Sequence, residues 1–186
     1  PLVETSTGTY QTNLINGTPG HVYELSVSIN DEVFTATCTM PDPVLIDTLY
    51  ISPGPFGQFL FPGISYFDPR DIDNKYRFVQ YLNGVKDPAI FWANDDFTDG
   101  ESVTLQLDAG VTRKDDPRAI NSGDTVTIEM LCLDEPVYNY WYTMESGGGT
   151  GIGNTVAPAN PITNISGGAL GYFSAHTIDR KTIIAP

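Results

Sequence analysis

The sequence is poor in the side chains on which most hydrolytic and metal-dependent chemistry relies. Its 186 residues include only 2 histidines and 2 cysteines, and they contain no C-x-x-C, H-E-x-x-H or G-x-S-x-G motif. Catalysis based on histidine therefore has little material, and a structural zinc site lacks its ligand spacing. Cys38 and Cys132 each lie in an alternating run. We expect both to be buried and unpaired, with a disulfide between them as the alternative.

Basic residues and long apolar runs are also scarce. The chain has 9 Lys and Arg residues against 23 Asp and Glu residues, which gives a formal net charge of -14. Such a charge repels phosphate backbones and anionic lipid surfaces, so it argues against nucleic-acid binding. The acidic residues are dispersed, which favours a solvated surface over a specific cation store. No run reaches the ~18 apolar residues of a membrane-spanning helix, so none is predicted.

Apolar and aromatic residues, by contrast, are plentiful and occur in short alternating runs. Hydrophobic residues make up 40% of the chain, including 10 Tyr, 9 Phe and 2 Trp, which is enough for a folded core. Period-two alternation bounded by turn residues predicts antiparallel strands at 23–29, 33–39, 46–52, 75–82, 102–107 and 125–133. Asn30-Asp31 and Asn83-Gly84 are predicted two-residue hairpin turns.

One helix is predicted over residues 137–145, after a Glu-Pro pair that suits a first turn. Tyr138, Trp141 and Tyr142 fall on one face of this helix, and we interpret the stripe as core packing rather than as a ligand platform. The Gly-rich segment that follows, residues 146–154, has no preceding strand and no Lys. It therefore does not qualify as a phosphate-binding loop.

Proline residues mark a boundary within the chain. Met40-Pro41-Asp42-Pro43 interrupts the alternation, and we interpret it as an interdomain linker. Residues 1–40 are then the C-terminal portion of an Ig-like N-terminal domain, and residues 41–186 are a mainly β domain. The predicted fold class is mainly β, an antiparallel β-sandwich or partly open barrel with one short helix. Because the chain begins at Pro1 without an initiator Met, we expect any targeting signal or lipid-attachment cysteine to lie upstream.

Ser174 and His176 are the one pair that suggests nucleophilic chemistry, because residues two apart on a strand point to the same side. A catalytic triad also needs an orienting acid and an oxyanion hole, and the sequence identifies neither. We interpret the pair as structural or partner-contacting.

Two acidic turns are candidates for binding a cation. They contain Asp68, Asp71 and Asp73, and Asp95, Asp96, Asp99 and Glu101. Calcium sites converge several oxygens, but neither turn has EF-hand spacing, and Asp also favours turns by bonding to nearby backbone. Turn formation is the preferred interpretation, so no metal or other cofactor is predicted. Calcium at Asp95, Asp96, Asp99 and Glu101 is the alternative, and a hydrolase that uses such carboxylates is another.

Aromatic residues are concentrated around two Pro-Gly pairs. They are Tyr50, Phe56, Phe59, Phe61, Tyr66 and Phe67. A strand buries alternate residues only, so some of them must face outward and are candidates for a ligand or partner surface. Trp92 and Trp141 are further candidates, because indole rings stack on sugars and other flat ligands.

A succession of short segments resembles one known family. The segments are Gly20-His21-Val22-Tyr23-Glu24-Leu25-Ser26-Val27, Phe34-Thr35-Ala36-Thr37-Cys38-Thr39-Met40-Pro41, Asp68-Pro69, Asn74-Lys75-Tyr76-Arg77-Phe78, Tyr81-Leu82-Asn83-Gly84, Phe97-Thr98-Asp99-Gly100, Tyr138-Asn139-Tyr140-Trp141 and Asn164-Ile165-Ser166-Gly167-Gly168-Ala169-Leu170-Gly171-Tyr172-Phe173-Ser174-Ala175. Together they resemble domain-of-unknown-function family 4249, predicted outer-membrane lipoproteins of Bacteroidota. Their order covers nearly the whole chain.

The resemblance implies a setting rather than a reaction. It implies an N-terminal sandwich-like domain, anchoring to the outer membrane at the cell surface through an upstream lipidated cysteine, and partnership with a TonB-dependent receptor. It transfers no catalytic residues. We therefore expect a non-enzymatic accessory or binding subunit of a receptor uptake complex. A surface glycan or small-ligand binding module is the first alternative, and the carboxylate-dependent hydrolase is the second.

Overall fold

The computed structural model describes residues 2–54, 57–147 and 160–186. The strands are β1 (Val3–Ser6), β2 (Thr9–Gln11), β3 (Val22–Ile29), β4 (Glu32–Thr39), β5 (Ile46–Pro53), β6 (Leu60–Phe67), β7 (Lys75–Leu82), β8 (Val85–Lys86), β9 (Phe91–Asn94), β10 (Ser102–Gln106), β11 (Thr125–Leu133), β12 (Ile165–Ser166) and β13 (Thr177–Ile184). The helix, α1, is Glu135–Gly147. All six predicted strands and the predicted helix are present, with ends that shift by one or two residues.

The strands form antiparallel sheets that contain non-neighbouring segments of the chain. One sheet has the order β10-β6-β5, and a second has the order β13-β11-β7-β8, with β9 also paired to β7. A smaller sheet has the order β12-β4-β3, and β1 pairs with β2. The predicted mainly β, antiparallel class is confirmed, and the arrangement is consistent with a β-sandwich.

The main core is built from inward-facing side chains of the two larger sheets. Ile64, Tyr66, Phe78, Ile128 and Met130 belong to it, and each is at most 1% exposed. Burying such a side chain contributes roughly 1.5–3 kcal/mol. Alternation along β6, β7 and β11 places these residues on the side of each strand that faces this core.

A second core covers the other face of the central strands. Val79 and Leu131 of the sheet pack with Val137 and Tyr138 of α1 and with Cys38 of β4. Strand β7 is consequently buried along almost its whole length. Two residues of the helical aromatic stripe pack here as predicted, with Tyr138 buried and Trp141 half-buried, whereas Tyr142 is 42% exposed.

Local signals explain where the helix and the hairpins begin and end. Asp134 caps α1, because its Oδ1 accepts a hydrogen bond from the Val137 amide at 3.3 Å. Asn30 and Asp31 have φ of 49° and 68°, and Asn83 and Gly84 have φ of 50° and 80°. Positive φ at both central positions is the requirement of a tight two-residue hairpin, so both turn predictions are confirmed.

Both cysteines are free and buried, as predicted. Burial raises the pKa of the Cys38 thiol to about 12 and raises the pKa of Cys132 as well. Each sulfur accepts a backbone hydrogen bond, Cys38 from the Ala175 amide at 3.0 Å and Cys132 from the Val44 amide at 3.3 Å. The thiols therefore act as small core residues and are held in the unreactive protonated form.

The first 39 residues contact the later part of the chain at several points. Strand β12 pairs with β4, with Ile165 opposite Ala36. The Thr39 amide donates to Asp134 Oδ2 at 3.1 Å, and residues 40–45 form no regular element. The division at residue 40 into two domains stays a prediction. None of the described helices has the length and apolarity needed to cross a membrane.

Candidate functional site

The aromatic segment predicted to form a surface is largely packed within its own sheet. Strands β5 and β6 pair with Tyr50 opposite Gly63. A Cβ atom at Gly63 would lie 2.2 Å from the Tyr50 ring, and one at Gly54 would lie 2.2 Å from the Phe61 ring. Each aromatic ring therefore lies directly on a glycine, which is the arrangement that shields a glycine backbone in a sheet.

The prediction of an exposed surface is wrong for Phe61 and Tyr66. Phe61 is 7% exposed and Tyr66 only 1%. Tyr66 lies in the main core, where its ring contacts Tyr76 edge-on with centroids 5.0 Å apart, and burial raises the pKa of its hydroxyl. The reason is strand alternation, because Tyr66 shares the core-facing side of β6 with Ile64.

The other aromatic residues of this segment are partly accessible. Tyr50 and Phe59 are half-buried, and Phe67 is 53% exposed. Phe59 lines a shallow cavity of about 340 Å³ together with Gly54, Phe61 and Val111. Phe56 lies outside the described residues.

Trp92 and Trp141 are half-buried members of a cluster around α1. Trp92 meets Tyr138 and Tyr142 edge-on, at centroid distances of 5.8 and 4.9 Å, and its Nε1 donates to Glu145 at 2.9 Å. The Arg77 guanidinium lies 3.4 Å from the centroid of the Trp141 ring. One face of Trp141 is thus occupied from within the chain, which leaves less of the ring for a flat ligand.

Arg77 is a buried cation without an acidic partner. It is 7% exposed, its Nε is buried without a hydrogen-bond partner, and no ion pair joins it to a described carboxylate. Burial lowers the pKa of the guanidinium. Its stacking on Trp141 supplies the main compensating interaction for the lost hydration.

The predicted Ser174 and His176 pair is formed, but the predicted strand is wrong at this point, because both residues precede β13 in an irregular segment. Ser174 Oγ and His176 Nδ1 are 2.9 Å apart, and the pKa of His176 is lowered by burial and by the nearby charge of Arg77. Within the described part of the chain, no carboxylate hydrogen-bonds to the imidazole. Among these residues the imidazole therefore lacks the orienting acid of a triad.

The pair borders a groove that sequence reasoning did not identify. The groove has a volume of about 630 Å³. It is bounded by residues of the N-terminal segment 2–17, by β3 and by the segment that precedes β13. Leu14, Ile15, Leu25 and Phe173 contribute apolar walls. No sequence pattern predicted it, because its walls come from distant segments that meet only in the folded chain.

The two acidic turns contact each other and form one unit, which we call the acidic loop pair (residues 67–74 and 94–101). The Asn74 amide donates to Asp95 Oδ2 and the Asp71 amide to Asp99 Oδ1, both at 2.7 Å. Lys75, only 8% exposed, lies 3.7 Å from Asp95 Oδ1. These carboxylates therefore bind backbone and lysine, as expected for turn formation.

Asp68 is the buried centre of the acidic loop pair. It is fully buried, and its carboxylate accepts hydrogen bonds from the Tyr76 hydroxyl and, at 3.2 Å, from Thr98 Oγ1. Burial raises the pKa of Asp68 above its ordinary value, although both hydrogen bonds act in the opposite direction.

The remaining cation candidates of the acidic loop pair are exposed. Asp96 accepts a hydrogen bond from Asn94 Nδ2 at 2.5 Å, and Glu101 lies at the surface. In the described ranges no three His, Cys, Asp or Glu side chains are grouped so that they could hold a metal ion.

The acidic loop pair also presents the most exposed aromatic side chain of the described residues. Phe97 is 97% exposed, and Phe67 and Ile72 on the facing loop are 53% and 50% exposed. The sequence signal was a lone phenylalanine inside an Asp-rich turn, where no strand or helix periodicity supplies a buried face. Sequence reasoning named the surrounding acids and missed the ring.

Together, these features define a mainly β scaffold that holds polar groups in structural hydrogen bonds and presents apolar side chains at its loops. The chain belongs to the family described as Domain of unknown function (DUF4249), whose model matches residues 1–182. Comparison with curated proteins and with solved structures gives no significant match.

Proposed function

We propose that the chain is a non-catalytic binding domain of a lipid-anchored outer-membrane protein at the cell surface, and that it serves as an accessory of a TonB-dependent receptor. The receptor and the lipid anchor enter the proposal through the resemblance of the sequence to predicted lipoproteins. The proposal involves no cofactor.

One feature of the acidic loop pair supports a binding role best: several of its acids are hydrogen-bonded within the loops, whereas its aromatic side chain is exposed. Asp68, Asp95 and Asp99 are engaged by backbone and side-chain donors that fix the loops. Phe97 meanwhile extends into solvent. Loops on a rigid scaffold that expose an aromatic ring are typical of recognition surfaces.

The test is co-purification of the tagged full-length protein from native outer membranes in mild detergent. We expect a TonB-dependent receptor to be recovered with it in a stable ratio. A lipoprotein of unrelated fold with the same tag and a similar expression level is the control. Recovery of the tagged protein alone, or equal amounts of receptor with the control, would refute the receptor part of the proposal.

A second candidate function is the binding of a small, mainly apolar ligand in the groove beside β3. Its volume of about 630 Å³ is within the range of small-molecule sites, roughly 300–1,000 Å³. Apolar walls with Ser174 and His176 at one side match the usual composition of such sites, which is apolar with a few polar groups.

This candidate is tested by screening a library of apolar and amphipathic small molecules for thermal stabilisation of the protein. We expect a hit to lose its effect in Leu25→Ser, which changes a groove wall. Leu45→Ser, at a position 62% exposed and outside the groove lining, is the matched control. Equal stabilisation of both variants, or no hit at all, would argue against a ligand in the groove.

A further inference from the structure

We propose that the acidic loop pair is a docking surface, and that Phe97 inserts into an apolar pocket of a partner protein whose rim carries Lys and Arg. This inference rests on the proposed binding function and specifies the surface and the chemistry of the partner.

The first argument is that the position of Phe97 is fixed before any partner arrives. The Thr98 and Asp99 amides donate to the Asp95 carbonyl at 2.9 and 3.1 Å, and the Glu101 amide donates to the Thr98 carbonyl at 2.9 Å. Thr98 Oγ1 also binds buried Asp68. Because the backbone of this turn is already held, docking of the ring orders only the side chain, which lowers the entropic cost of binding.

The second argument is that the turn cannot bury the ring itself. Phe97 is 97% exposed, so the ring has almost no intramolecular contact area. Phe67, at the end of β6, and Ile72, on the facing loop, are about half exposed and extend the apolar character of the loop pair. Aromatic anchors surrounded by polar residues are the usual composition of interaction hot spots.

The negative charge of the acidic loop pair indicates which kind of partner would bind there. The acidic loop pair contains 7 Asp and Glu residues and 1 Arg. The exposed acids are Asp71, Asp73, Asp96, Asp99 and Glu101. This charge disfavours an anionic lipid surface, and a second copy of the chain, with its own net charge of -14, is disfavoured as well. An apolar pocket with a cationic rim would complement both the exposed ring of Phe97 and the negative charge around it.

The experiment places a photo-reactive p-benzoyl-phenylalanine at position 97 of the full-length protein in its own cells. Val85 is the control position, because it is 72% exposed and lies beyond the opposite end of β7. We expect position 97, and not position 85, to crosslink to a protein. The crosslinked site on that protein should be an apolar pocket flanked by Lys or Arg. A crosslink alone is not sufficient support.

The crosslinked protein is then purified and used as the probe for affinity measurements. Phe97→Ala should weaken binding about tenfold or more, as expected for a hot-spot residue. Asp96→Asn with Glu101→Gln should weaken it about threefold and reduce its salt dependence, because rim charges act mainly through long-range attraction. Val85→Ala should leave the affinity unchanged.

Several outcomes would overturn the inference. They are crosslinking of position 97 to lipid or to a second copy of the chain, no crosslink while the protein is present at the membrane, a contact site without basic residues, and an unchanged affinity of Phe97→Ala. A receptor that co-purifies but binds Phe97→Ala normally would leave the proposed function intact and refute this surface. If the crosslinked site is apolar and basic but belongs to a protein other than a TonB-dependent receptor, the docking surface is supported and the proposed receptor partnership is refuted.

Discussion

Two neighbouring regions, the uncharged aromatic segment 50–66 and the acidic loop pair, treat their aromatic residues in opposite ways. In the segment, Phe61 and Tyr66 are 7% and 1% exposed because they lie in a central strand. In the loop pair, Phe97 is 97% exposed because a turn has no buried side. Phe67, at the end of the same strand, is 53% exposed, so the exposure of an aromatic residue depends on whether other segments cover it.

Truncating a phenylalanine in each region should show the largest difference in stability between them. Phe61→Ala should lower the free energy of unfolding by about 3 kcal/mol, because it removes a buried ring and leaves a cavity. Phe97→Ala is the matched control and should change it by less than about 0.5 kcal/mol. Urea denaturation measures both. Similar costs for the two variants would contradict the contrast.

The contact between Tyr50 and Gly63 gives a second test. Gly63→Ala places a methyl group where the Tyr50 ring lies and should cost about 2 kcal/mol. In a Tyr50→Ala background the same change should cost much less, since the obstructing ring is gone. A double-mutant cycle by urea denaturation measures the coupling. Additive effects would show that the ring and the glycine do not interact.

Asp68 sharpens the comparison through the pH dependence of stability. Its folded pKa is raised by burial, so its contribution is full below the ordinary carboxyl pKa of about 4 and is lost as pH rises through the folded pKa. Wild type should therefore lose stability relative to Asp68→Asn as pH rises, by about 1.4 kcal/mol per unit of pKa difference. Denaturation curves at several pH values measure this. Parallel profiles of the two proteins would exclude a raised pKa.

Arg77 should give the smallest effect on stability. Arg77→Met replaces a buried, unpaired guanidinium with an apolar chain of similar length, and the free energy of unfolding should stay within about 1 kcal/mol of wild type. Arg77→Ala should cost more, because it leaves a cavity beside Trp141. A large loss in Arg77→Met would mean that the charge itself stabilises the fold.

The parts of the fold that followed from sequence are those in which local and tertiary preferences agree. Strands β7 and β11 have the predicted bounds, because β-branched and aromatic residues recur along each and neither contains Pro or Gly. Strand β6 was not predicted, since Pro62 and Gly63 are strand-breaking residues by their local preferences. Tertiary packing overrides those preferences there, with Tyr50 lying on Gly63 and the Leu107 amide donating to the Pro62 carbonyl at 2.8 Å.

The candidate site was less predictable than the fold. The acids of the loop pair were identified as a group, because Asp-rich turns are visible in sequence. Exposure of Phe97 depends on where neighbouring segments stop, and the groove beside β3 depends on segments more than a hundred residues apart, such as Tyr23 and Phe173. Neither property leaves a local pattern. The strands and the acidic turns could therefore be predicted from sequence, whereas the exposed ring of Phe97 and the groove beside β3 could be identified only in the folded chain.

The pairing of β13 with β11 has a consequence for synthesis of the protein. Every residue from Thr125 to Cys132 lies opposite one of the eight residues of β13, and β12 completes the small sheet of β3 and β4. In a chain that does not yet include β13, the backbone groups along one edge of β11 have no strand to pair with. Long-range pairing of this kind forms slowly. A chain that stops before Thr177 therefore leaves this edge of β11 open to proteases and chaperones.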